Sequence, residues 1–133
     1  MIKYLLDTNI CIFTIKHKPP EIQLQFQQHY GQMAISTITL MELMYGAEKS
    51  QASARNLREI EGFAARLEVL DYGIEAAKHT GQLRAELARM GQPIGPYDQM
   101  IAGHARSTGL IVVTNNLRAF ARVPGLRVED WVH

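Results

Sequence analysis

Residues 2–16, IKYLLDTNICIFTIK, decide the fold class. A short apolar strand, Ile2–Leu6, is stopped by the polar trio Asp7-Thr8-Asn9, and a helix is predicted from Ile10 to about Lys16. The same strand-to-helix passage recurs twice further on. Met33–Ser36 reads as a strand feeding a helix over Thr37–Ala47, with Gly46 marking its frayed end. Leu110–Val113 is a continuous β-rich apolar run, followed by Thr114-Asn115-Asn116 and a short helical turn over Asn115–Ala121. Between them, Pro19-Pro20 breaks the chain and Pro20 opens a helix over Glu21–His29. Ser53 is read as the cap of a helix running to about Arg66, and Glu68–Leu70 as a third strand. A long helix, Ile74–Met90, is stopped by Gly91 and Pro93. The loop GQPIGP then delivers Tyr97-Asp98 into a helix ending at Ser107-Thr108-Gly109, and Leu126–Val128 is the last strand. Strands alternating with helices predict an α/β fold, one domain over residues 1–133, with a mostly parallel sheet covered on both faces. In such sheets ligands bind at the carboxyl ends of the strands.

Composition narrows the class. A chain of 133 residues, 47% hydrophobic, suits one globular domain with a real core. The single Cys11 excludes a disulfide framework and a cysteine-based zinc site, and it fits a reducing cytoplasm. The opening segment carries Asp7 inside its apolar run and has no small-residue cleavage site, so no signal peptide is read there. No apolar stretch approaches the roughly 20 residues of a membrane span. The net charge is +1, but it is unevenly spread. Between Lys78 and Arg127 the basic residues Lys78, Arg84, Arg89, Arg106, Arg118, Arg122 and Arg127 face only Glu86 and Asp98. Such a half would steer a polyanion, although solvated helix arginines give the same pattern. No P-loop, G-x-G-x-x-G, G-x-S-x-G or H-E-x-x-H occurs.

Three carboxylates remain. Asp7 ends the first strand, Glu42 lies in the helix after the second, and Asp98 opens the helix before Leu110–Val113. Each has a structural explanation of its own. Asp7 suits a helix cap, Glu42 would reach solvent from the edge of its stripe, and Asp98 suits the positive end of a helix dipole. Yet Glu42 shares a helical face with Ile38, Thr39, Tyr45 and Gly46, where an unpaired charge is costly. Two carboxylates about 5 Å apart repel by roughly 3 kcal/mol at an effective dielectric near 20. If the three meet, a hard cation such as Mg2+ or Mn2+ relieves the repulsion, with Thr114 and Asn116 as neutral oxygens nearby. Phosphodiester hydrolysis is the chemistry of such a centre.

At these residues the chain resembles the VapC-type toxins of the PIN-domain ribonuclease family. The segments are LLDTNIC, STITLMELMYGAEKS, GQLRAEL, PIGPYDQMIAGHARSTGL, VVTNNLRAF and PGLRVEDW, in order over essentially the whole chain. The resemblance implies a parallel sheet of about five strands flanked by helices. It implies an endoribonuclease using Mg2+ or Mn2+ held by Asp7, Glu42 and Asp98, with Asn116 at a fourth position and Thr8, Asn9 and Thr114 in support. Position 116 and position 119, here Ala119, are often acidic in the family, which puts a second tightly bound metal in doubt. It further implies a homodimer, a VapB-type antitoxin whose C-terminal segment covers the groove, and operator DNA bound only through that antitoxin. The DQMIAGHAR and TNN segments resemble enterobacterial-type toxins that cut initiator tRNA in the anticodon loop. Two other readings stay open from sequence: a receiver-like phosphoacceptor module with Asp71 as acceptor, and a PIN scaffold without catalysis that serves a repressor.

Overall fold

β1 (Tyr4–Leu6) is buried on both sides, which explains why its three residues are all apolar. In the computed structural model, which describes residues 1–132, it is the centre of a five-stranded, all-parallel sheet of order β3-β2-β1-β4-β5. Its neighbours are β2 (Met33–Ser36) and β4 (Ile111–Val113), with Leu5 opposite Ala34 and Val112. β3 (Glu68–Leu70) and β5 (Val128–Glu129) form the edges. Helices α1 (Thr8–Lys16), α2 (Pro20–Gln28), α3 (Thr37–Glu48) and α4 (Ser53–Ala64) precede β3. Helices α5 (Ile74–Arg89), α6 (Pro96–Thr108) and α7 (Leu117–Phe120) follow it. Among the described residues no helix is long and apolar enough to cross a membrane.

Side chains alternate across β1 and divide the core. Tyr4 and Leu6 join Ile10, Phe26, Ile35 and Phe63 on one face. Leu5 joins Leu83, Leu87, Ile101, Val112 and Phe120 on the other. Trp131 closes the first face beyond β5, stacked on His29 at 4.4 Å and edge-on to Tyr4 at 5.0 Å.

The expected elements are present with shifted ends. β1 begins at Tyr4 and β4 at Ile111, because only the segment flanked by strands on both sides is laddered. β5 lies one to two residues later than Leu126–Val128, since its pairing follows β4 rather than its own apolar run. α3 continues through Gly46 to Glu48, held by the buried Ala47. Ser53 is not a cap: Ala52 holds that position, and no side chain satisfies the free amides of α4. α7 is confined to Leu117–Phe120, because the Asn116 amide is diverted to Thr114.

One close approach fixes α6 on α5. A Cβ on Gly103 would stand 2.0 Å from Thr80 Oγ1 and 2.8 Å from the Thr80 backbone, which cannot rotate away. Gly103→Ala is therefore expected to destabilise the protein by about 2 kcal/mol or more, as overpacking does. Denaturant melts of the two proteins measure it, and an unchanged midpoint would contradict this packing.

Candidate active site

The carboxyl ends of β1, β2 and β4 make one rim, and each is followed by polar residues that cannot continue the sheet. Asp7 leaves β1 in extended conformation and caps α1, its Oδ1 accepting the Ile10 amide at 2.9 Å. Its own amide is tied to the Val113 carbonyl at 3.0 Å, which places it beside the end of β4. There the Thr114 hydroxyl hydrogen-bonds the Asp7 carboxylate, while Thr114 Oγ1 accepts the Asn116 amide at 2.8 Å. Asp7 is 4% exposed. Burial pushes its pKa up from 3.8 to about 6; the hydrogen bonds from Thr114 and Ile10 pull against that, and Asp98 and Glu42 add to it.

Glu42 comes from α3, which β2 feeds directly through the capping Ser36. The Thr8 hydroxyl donates to Glu42 Oε1 at 2.6 Å and lies 3.3 Å from Thr39 Oγ1. Asp98 occupies the first turn of α6, where the dipole favours an anion, and is half-buried. Desolvation raises its pKa, and the Glu42 charge raises it further. The three acids thus act on one another electrostatically, and neither ion pair found among the described residues, Lys78–Glu75 or Arg106–Glu86, reaches them.

Among the described residues, no group of three or more His, Cys, Asp or Glu side chains is arranged to hold a metal. Glu42 is turned to Thr8 and one Asp7 oxygen to the Ile10 amide. The donor chemistry nevertheless fits a hard cation. Mg2+ is commonly held through one or two carboxylates with water completing the octahedron, so a preformed three-acid cage is not required. Asn115 Oδ1, on the segment leaving β4, is buried without a hydrogen-bond partner, an acceptor suited to such hydration water.

The other expected residues are distributed unevenly. Thr8 and Thr114 brace the acids as described. Asn9 is exposed on the first turn of α1 and makes no hydrogen bond to them. Asn116 is also exposed; it joins the site through its backbone link to Thr114, and its side chain does not cap α7. Asp71, the acceptor of the receiver-like reading, is exposed after edge strand β3, away from the central rim. Sequence reading names Asn115 and the fully buried Thr39 only as neighbours and gives neither a role. A threonine three residues before Glu42, one turn away, was the available signal for the latter.

Comparison with known proteins gives the family and agrees on the fold. The PIN domain model matches residues 4–126. A curated relative from Shigella flexneri, tRNA(fMet)-specific endonuclease VapC, is 66% identical over 98% of this chain and 99% of its own. Among solved structures, DNA-bound VapBC from Salmonella typhimurium superposes with a TM-score of 0.95 at 67% identity, covering 98% of this chain and 99% of that one. VapBC2 from Rickettsia felis, bound to a promoter DNA fragment, gives 0.92 at 38% identity over 98% and 99%.

Proposed function

Because this chain belongs to the PIN-domain family, and within it to the VapC ribonucleases, we propose that it cleaves initiator tRNA in the anticodon loop. It acts as the toxin of a VapBC toxin–antitoxin pair in the cytoplasm, and the cut stops translation. The observation that carries the chemistry is the mutual electrostatic action of Asp7, Glu42 and Asp98, which neither ion pair found among the described residues reaches. Those three residues would hold Mg2+, or Mn2+ in its place, directly or through water. A bound divalent cation supplies charge neutralisation and Lewis-acid polarisation at the scissile phosphate.

The protein groups have separate tasks in this reading. Thr8 holds Glu42 in one orientation, and Thr114 with the Ile10 amide holds Asp7. Asn116 offers a neutral amide at the fourth position, where an acid would add to the repulsion. Arg84, Arg89 and Arg118, exposed on α5 and α7, supply charge for the RNA backbone.

The partners follow from the surface. A groove of about 280 Å³ between α1, α3 and α4 is lined by Ile12, Ile15, Leu43 and Ile60, with Glu42 and Glu59 on its walls. It suits an apolar antitoxin segment carrying a basic side chain toward Glu42. Operator DNA is then read by the antitoxin alone. Met41, Met44 and Tyr45 are exposed on α3 and suit the face of a homodimer.

The test is cleavage of purified tRNAs with Mg2+ and mapping of the new 5′ ends. One cut in the anticodon loop of initiator tRNA, with elongator methionine tRNA left whole, is the expected result. Equal degradation of both would overturn the substrate assignment.

A further inference from the structure

We propose that the buried hydrogen bond between Ser36 and His104 is a gauge that sets the gap between Glu42 and Asp98, and with it the affinity of the site for a divalent cation. The inference rests on the reading of those acids as joint ligands and adds to it a positioning residue.

His104 is 3% exposed and its Nδ1 lies 2.8 Å from Ser36 Oγ. Ser36 Oγ also accepts the Ile38 amide at 3.1 Å, so it is fixed at the start of α3. Glu42 lies six residues after Ser36 on α3, and Asp98 six residues before His104 on α6. Six residues of helix rise about 9 Å. Ser36 meets His104 at one end, and at the other the Glu42 charge is near enough to act on Asp98. The helices therefore pass each other in opposite senses, and a bond at one end constrains the spacing at the other.

The histidine is itself held. Tyr72 stands edge-on to its ring at 5.7 Å, donates its hydroxyl to Thr80 Oγ1 at 2.7 Å, and donates its amide to Thr37 Oγ1 at 3.1 Å. Thr80 is the residue against which Gly103 is pressed. The start of α3, α5 at Thr80 and the middle of α6 are thus joined through Tyr72 by two part-buried hydrogen bonds and one ring contact. Burial lowers the His104 pKa, against the pull of Asp71, which keeps the ring neutral inside this chain. A buried side chain serving only to fill space needs no polar atom; in the small-residue run Ile101-Ala102-Gly103-His104-Ala105, histidine supplies one aimed at the α3 cap.

Titrating Mn2+ into metal-free protein by calorimetry tests this, with melting temperatures recorded alongside. His104→Leu and Ser36→Ala are expected to weaken Mn2+ binding about tenfold or more, as loss of supporting contacts to ligands does. His104→Asn, which keeps a polar atom near the position of Nδ1, should stay within about threefold of wild type. Lower melting temperatures with unchanged Mn2+ affinity would overturn the gauge and leave the ligand assignment standing. If wild type itself binds no Mn2+, the ligand assignment fails and the gauge with it. Should His104→Leu fail to fold, the folded Ser36→Ala protein decides in the same way.

Discussion

Asp7→Asn should abolish RNA cleavage and at the same time make the metal-free protein more stable at neutral pH. The first effect follows from loss of an anion that would hold the cation, and a drop of about 10²–10³-fold or more is expected from removing one electrostatic contact to the reacting centre. The second follows from the folded state itself. Asp7 titrates near 6 in the folded chain against 3.8 ordinarily, so folding resists its ionisation. Below pH 3.8 both states hold the proton and no penalty exists. Between 3.8 and 6 the unfolded chain ionises first, and stability falls as pH rises. Above 6 the loss is complete, at about 3 kcal/mol for a shift of this size. Asparagine keeps the capping interaction with the Ile10 amide at nearly equal strength. Urea melts of the two metal-free proteins should therefore differ by about 2 kcal/mol at pH 7 and converge near pH 4. Parallel curves at all pH values would contradict the assigned burial. His104 titrates in the opposite sense, losing stability as pH falls below 6.5, but it is common to both proteins and cancels in the difference.

Removing divalent cations should silence the enzyme without unfolding it. Chelation is expected to cut activity by about 10²-fold or more, with Mg2+ restoring it, since the cation neutralises the phosphate charge that three acids would otherwise repel. The circular dichroism spectrum should not change, because β1, β2 and β4 are held by apolar packing on both faces and not by ligands. Adding Mn2+ should raise the melting temperature of wild type, because binding to the folded state alone stabilises it. The same addition should leave Asp98→Asn nearly unmoved. A wild-type protein whose activity survives exhaustive chelation would remove the metal from the account, and Asp7, Glu42 and Asp98 would need another role.

The sheet and its order of elements were largely legible because the strands are apolar runs closed by polar caps. Met33–Ser36 agrees residue for residue with β2, where strands on both sides bury all four residues and the polar Ser36 closes the apolar run. β5 was less legible: an edge strand of two residues, half exposed, leaves no periodic signal. Ser53 misled because a good capping residue was present in sequence but unused in space. Within the site, Asp7 and Asp98 stood out as acids at element boundaries. What sequence spacing could not provide was the contact of groups far apart in the chain. Thr8 reaches Glu42 across 34 positions and His104 reaches Ser36 across 68. Position 115 was similarly hidden, because two adjacent asparagines look alike until one oxygen is buried without a donor and the other side chain faces solvent.

The place of β1 at the middle of the sheet has a consequence for how the toxin is made. Its first neighbour, β2, is synthesised soon after it, but β4 arrives only at Ile111–Val113, and Thr114, which steadies Asp7, comes next. A nascent chain carries Asp7 well before it has the strand that seats it, since more than a hundred residues separate Asp7 from Ile111–Val113. The seat of Asp7 is therefore completed only late in synthesis, when the β4 segment and Thr114 can join β1.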